Sequence, residues 1–157
     1  MTEPDPRLRD YHFHTAFWTG VAFIPFWNGE LRVWFEGYRK KPTSRQFRIL
    51  RAILDYPSDL RASLEMGVFE LYQSVVFGSI DFGDPKIEEQ CAPRLAESRQ
   101  IWKLIRDAEI SISDRCKDDN EEVVEFRMTF ACSWDDEHGL GVKFRDWKIV
   151  GFGNAAE

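Results

Sequence analysis

Val124-Glu125-Phe126-Arg127-Met128-Thr129-Phe130-Ala131-Cys132-Ser133-Trp134 is the clearest period-two run in the chain, with an apolar side chain at every even position. Successive strand side chains point to opposite faces, so the run predicts one buried face and one polar face. Leu140, Val142 and Phe144 repeat the alternation after Asp135-Asp136-Glu137-His138-Gly139. A five-residue loop over Asp135–Gly139 pairs Trp134 with Leu140, Cys132 with Val142 and Phe130 with Phe144. The opposite face then pairs Ser133 with Gly141, Ala131 with Lys143 and Thr129 with Arg145, and both faces agree on the register. A tight turn at Asp146-Trp147 sets Phe144 against Ile149. Upstream, Ile110 and Ile112 alternate with serines as a further strand, and a polar turn spans Arg115 to Glu121. The C-terminal third therefore reads as an antiparallel meander.

The N-terminal part predicts a hairpin. Phe17 to Ile24 and Glu30 to Glu36 flank Asn28-Gly29, a pair suited to a type I′ turn because both central positions need positive φ. A two-residue turn there places Trp27 opposite Glu30, Phe26 opposite Leu31, Ile24 opposite Val33 and Ala22 opposite Phe35. Pro25 has no N–H for the ladder, so the first strand breaks there or lies at an edge.

The middle predicts helices. Pro42-Thr43-Ser44 is a start signal, and Phe47, Leu50 and Leu54 follow on one face. Tyr56-Pro57-Ser58 interrupts the pattern, and Ser58 is the expected N-cap of a second helix burying Leu60, Leu64, Val68, Leu71 and Val75. Gly78 to Pro93, rich in acids and turn formers, reads as a surface loop. A short helix over Leu95 to Arg106 points Ile101, Trp102 and Ile105 inward.

The 157 residues are 43% hydrophobic and 31% charged, which suits a single domain over 1–157 with a sizeable core and a flexible or loosely packed lead over 1–12. A net charge of -6 gives no electrostatic support for binding nucleic acid or an anionic membrane, and suits a basic partner. Met1 to Asp10 lacks the basic and apolar regions of a signal peptide, and no apolar run reaches the length of a membrane span. Cys91, Cys116 and Cys132 are odd in number and far apart, so reduced thiols and a cytoplasmic location are expected.

Few residues suggest chemistry. Asp135 to Gly139 crowds three carboxylates and an imidazole, which suits turn-locking hydrogen bonds, partner recognition, or metal binding and general-base work. His12 and His14 share one side of an extended chain, and with His138 they make an alternative three-histidine metal set. Asp81-Phe82-Gly83 matches the kinase metal-binding tripeptide by chance, since the chain has no phosphate loop and no His-Arg-Asp loop. No serine lies in a Gly-x-Ser-x-Gly elbow, and no cofactor is expected. Cys132 falls on the apolar face as a core residue with a raised pKa. Aromatic residues make up 15% of the chain, and Trp27 and Trp147, beside hairpin turns, are candidate contact residues with Asp136, Glu137 and His138.

The stretch Phe130 to Val142, followed by a hairpin closing near Gly151, resembles an uncharacterised bacterial domain family whose C-terminal signature is Trp-Asp-x-Glu-His-Gly-Leu-Gly-Val. The order of N-terminal hairpin, central helices and an Ile101-Trp102-Lys103-Leu104 helix before the next strand is similar too, so the likeness spans most of the chain. Trp147 departs from the glycine such families often carry in the final turn. The resemblance implies a bacterial origin and an immunity or accessory role beside a toxin, and it carries over no catalytic residue.

These readings give an α+β fold: an antiparallel sheet from an N-terminal hairpin and a C-terminal meander, with two to three helices packed on it. The leading functional expectation is a non-enzymatic, immunity-like or accessory binding protein that covers a basic site on a partner such as a toxin. One alternative is a small metal-assisted hydrolase using His12, His14 and the Asp135–His138 loop. Another is a structural subunit dimerising through an edge strand such as Phe17 to Ile24. The oligomeric state is not legible from the residues.

Overall fold

A computed structural model describes residues 3–115 and 122–156. Its centre is one seven-stranded sheet in sequential order: β1 (Arg9–His14), β2 (Phe17–Ile24), β3 (Gly29–Phe35), β4 (Ile105–Ile112), β5 (Glu125–Cys132), β6 (Asp135–Arg145) and β7 (Lys148–Gly153). The α+β class holds, but the hairpin and the meander are parts of this single larger sheet. They are joined where β3 and β4 run parallel, with Val33 opposite Ile110 and Phe35 opposite Ile112. Parallel neighbours need a long crossover, and the helical middle of the chain provides it. Within the expected lead over 1–12, several described residues make contacts with the rest of the chain. Arg9–His14 pairs with β2, Leu8 is buried, and Asp5 is buried with its carboxylate accepting from Arg7 Nη2 at 2.8 Å. Of the expected polar turn from Arg115 to Glu121, all but Arg115 lies outside the described residues, and so does Cys116.

Both hairpins keep the expected faces but shift their registers by four residues. Ile24 pairs with Gly29 rather than Val33, and Phe130 with Leu140 rather than Phe144. An even shift leaves every side chain on its original face, so Ala22, Ile24, Leu31, Val33 and Phe35 are all buried. In the first hairpin Pro25 decides the matter. Its fixed φ and missing N–H suit the second position of a turn, and Trp27 N donates to Ile24 O at 3.0 Å. Asn28 then takes φ 56°, and the connection is four residues long, not the expected two. In the second hairpin the chain reverses at Ser133-Trp134, with Cys132 opposite Asp135. Trp134 is buried 5.4 Å from the Tyr72 ring, and the residues after Asp135 bulge from β6 instead of forming the turn. Phe144 therefore stacks on Phe126 at 5.0 Å and 10°. The final turn matches expectation: Phe144 faces Ile149, and Asp146 and Trp147 both have positive φ.

Three α-helices follow β3: α1 (Ser44–Asp55), α2 (Arg61–Leu71) and α3 (Pro85–Cys91). Helix α1 buries Phe47, Ile49, Leu50, Ile53 and Leu54 against the apolar sheet face. Helix α2 has no side-chain N-cap from Ser58; Asp59 Oδ1 instead accepts from Arg61 N at 2.8 Å. Its stripe runs Leu64, Val68, Tyr72 and Val76, while Leu71 is half-buried and Val75 is 59% exposed. The cause is a π-helical turn at Tyr72–Val76, closed by Phe77 N donating to Tyr72 O at 2.8 Å, which lets a strict four-residue spacing stay on the core. Gly67 gives α2 its close approach to β7, since a Cβ there would lie 2.9 Å from Ile149 Cδ1. The expected Gly78–Pro93 loop contains α3, capped by Asp84 Oδ1 accepting from Lys86 N and begun by Pro85. Leu95–Arg106 holds only a 3₁₀ segment, Ser98–Lys103, and Ile105 already belongs to β4.

Gln46, fully buried on α1, ties the helix to the parallel junction. Its Nε2 donates to Glu36 O at 2.6 Å and Ile112 O at 2.9 Å, the carbonyls just past β3 and at the end of β4. Its Oε1 accepts from Thr43 N at 2.8 Å and its backbone N donates to Thr43 Oγ1 at 3.2 Å, a reciprocal capping box. Gln46→Leu takes away the side-chain partner of Glu36 O and of Thr43 N, while Ile112 O keeps the Glu36 N–H, so urea denaturation is expected to register a loss of about 1–3 kcal/mol.

The N-terminal staple predicts a pH effect. The Arg7 side chain, hydrogen-bonded to Asp5, holds the Asp5 carboxyl down from 3.8 to about 2. A depressed folded pKa contributes stability above the unfolded pKa and loses it as pH falls through the folded one. Because Arg7 is half exposed, the contribution is about 1 kcal/mol. The stability difference between wild type and Asp5→Asn is expected to be full at neutral pH and to vanish between about pH 3.8 and about pH 2.

Candidate protein-binding surface

The Asp135–Gly139 segment is ordered by its own first residue. Asp135 Oδ1 accepts from His138 N at 3.0 Å and lies 3.0 Å from His138 Nδ1. Gly139 ends the bulge at φ 69°, where a Cβ would sit 2.5 Å from Phe130 O. Asp136, Glu137 and His138 project outward and exposed.

A second segment meets this hairpin. Ser133 Oγ donates to Cys91 O at 2.7 Å, which anchors the end of α3 beside the reversal of β5 into β6. The Tyr72 hydroxyl donates to Pro93 O, fixing the chain that leaves α3. Helix α3 buries none of its residues and presents Ile87, Glu88 and Glu89 to solvent. Just before it, Val75 and Phe77 are also exposed, and the Arg94 guanidinium lies 5.3 Å over the Phe77 ring. Helix α3 and the segment before it thus expose both carboxylates and apolar side chains. Val75, Phe77, Ile87, Glu88 and Glu89 were not among the expected contact residues. The Asp84-Pro85 pair, an N-cap followed by proline in the first turn, was the available signal for α3.

The two tryptophans singled out beside turns are half-buried, each against another aromatic ring. Trp27 lies edge-on to Trp102 at 5.8 Å, with Arg61 4.6 Å over its ring. Trp147 stacks on Tyr56 at 3.8 Å and 10°. Neither lies with Asp136–His138 in the contacts it makes. His12 and His14 sit on β1, their rings 6.0 Å apart, while His138 follows the start of β6, with β2, β3, β4 and β5 between them in the sheet. Among the described residues no group of three or more His, Cys, Asp or Glu side chains is placed to hold a metal. The Phe17–Ile24 strand is paired on both sides, so the sheet edges are β1 and β7 and that strand offers no edge for dimerisation. Asp81 Oδ1 accepts from Gly83 N at 2.8 Å, a local turn. Burial pushes the Cys132 thiol up to about 11, and its Sγ lies 3.4 Å from Asp135 O. No helix among the described residues is long and apolar enough to cross a membrane.

Residues 7–157 match one protein family, described as a domain of unknown function (DUF6985). The chain belongs to that family. No curated protein and no solved structure matches it. The family match covers the whole sheet and all three helices, including the end formed by α3 and the β6 bulge.

Asp135→Ala removes the acceptor for the His138 backbone and ring. It is expected to lower stability by about 0.5–2 kcal/mol and to speed hydrogen exchange at the His138 amide, with β1 to β3 unchanged.

Proposed function

We propose that this chain is a non-enzymatic binding protein of the immunity-like or accessory kind. Its acidic and apolar end covers a basic site on a partner protein, such as a toxin, in a bacterial cytoplasm. The observation that carries the reading is the hydrogen bond from Ser133 to Cys91, which ties the end of α3, with exposed Ile87, Glu88 and Glu89, to the reversal of β5 into β6 that precedes exposed Asp136 and Glu137. Apolar side chains supply burial at the centre of such a contact, and carboxylates steer a basic surface and select against acidic ones. The net charge of -6 acts in the same direction. The resemblance of the Trp134–Val142 stretch to domains beside toxin systems supports the same class.

The test is capture by crosslinking in cells of the source organism, followed by measured association of the captured protein with purified variants. The triple variant Glu88→Lys, Glu89→Lys, Asp136→Lys is expected to slow association by about tenfold or more, and added salt should slow the wild type steeply. Glu30→Lys on β3 should leave association unchanged. An acidic captured protein, salt-insensitive binding, or equal loss in both variants would refute the reading.

A further inference from the structure

At one end of the sheet a cleft of about 210 Å³ is lined by Glu36, Arg45, Ser111, Ser113, Arg127 and Lys143, with Glu125 and Phe126 completing its wall. It lies where the C-terminal ends of the parallel strands β3 and β4 meet the N-terminus of α1.

The charges in the cleft do not balance. Glu36 Oε1 accepts from Arg127 Nη2 at 2.8 Å and from the Ser111 hydroxyl at 2.9 Å, and Glu125 beside them accepts from Arg145 Nη1 at 2.9 Å. With both carboxylates occupied, Arg45 and Lys143 remain. Lys143 is exposed and has no ion-pair partner among the described residues. Arg45 sits in the first turn of α1, where the helix dipole disfavours a cation. Its Nη1 donates to Ser113 O at 3.1 Å, but Nε and Nη2 are buried with no acceptor among the described residues. Buried donors are almost always paired, and a guanidinium edge with two free N–H groups matches the two oxygens of a phosphate or carboxylate.

We propose that this cleft binds a compact oxyanion, a phosphate or carboxylate group of a small molecule. The free edge of Arg45 turns to the anion, Lys143 supplies the second charge, and the Ser111 and Ser113 hydroxyls stand at its rim. Arg127 is a positioning residue, held in place by Glu36. The site lies beside the first residue of β5, whereas the acidic end adjoins the last, so the two proposals stand or fall separately.

Titration of the purified protein with inorganic phosphate and, separately, with citrate tests the site, with sodium chloride at matched ionic strength as the control. The readout is the side-chain Nε–H resonance of Arg45. Saturable movement with either anion is expected, and phosphate against citrate tells which oxyanion the cleft prefers. Lys143→Met should weaken the affinity by about tenfold while leaving the fold intact, as should Arg45→Met, read by thermal shift. A titration that only follows ionic strength, or an affinity unchanged in Lys143→Met, overturns the proposal.

Discussion

The amide of Gln46 holds the two halves of the sheet at one point. It is buried at the start of α1 and donates to carbonyls at the ends of two strands that sequence alone leaves far apart, while its oxygen closes the cap of its own helix. Buried carbonyls without donors are costly, and a parallel pair that ends under a helix needs a donor of this length. The crossover from β3 to β4 can then lie flat, with Phe47, Leu50 and Leu54 over the apolar face.

This anchoring leaves the opposite sheet face without a helix, and its polar residues satisfy one another. Trp34 Nε1 donates to Glu109 at 2.8 Å, and Glu36 collects Arg127 and Ser111. A total charge of -6 hides such local pairing, because long-range steering sums over the surface whereas binding samples one patch.

The candidate surface was only half legible before the structure. Asp136, Glu137 and His138 stand out by composition, but the tie of α3 to the hairpin is a hydrogen bond from Ser133 to Cys91, forty-two positions apart. Trp27 and Trp147 illustrate the converse. Each lies beside a turn, yet each finds an aromatic partner from another element, Trp102 and Tyr56, and packs there.

Alternation along β5 and β6 and helical spacing along α1 were enough to assign faces, because a side chain's direction follows from local backbone geometry. Register was not decided locally. A four-residue slip preserves every face, so apolar pattern cannot choose between Phe130 opposite Phe144 and Phe130 opposite Leu140. Burial of Trp134 against Tyr72, a residue from the π-helical turn, favours the second. The same holds for the joining of hairpin and meander into one sheet. Neither strand carries a mark of its parallel partner, and Gln46 of the folded α1 adds a bridge to both strand ends.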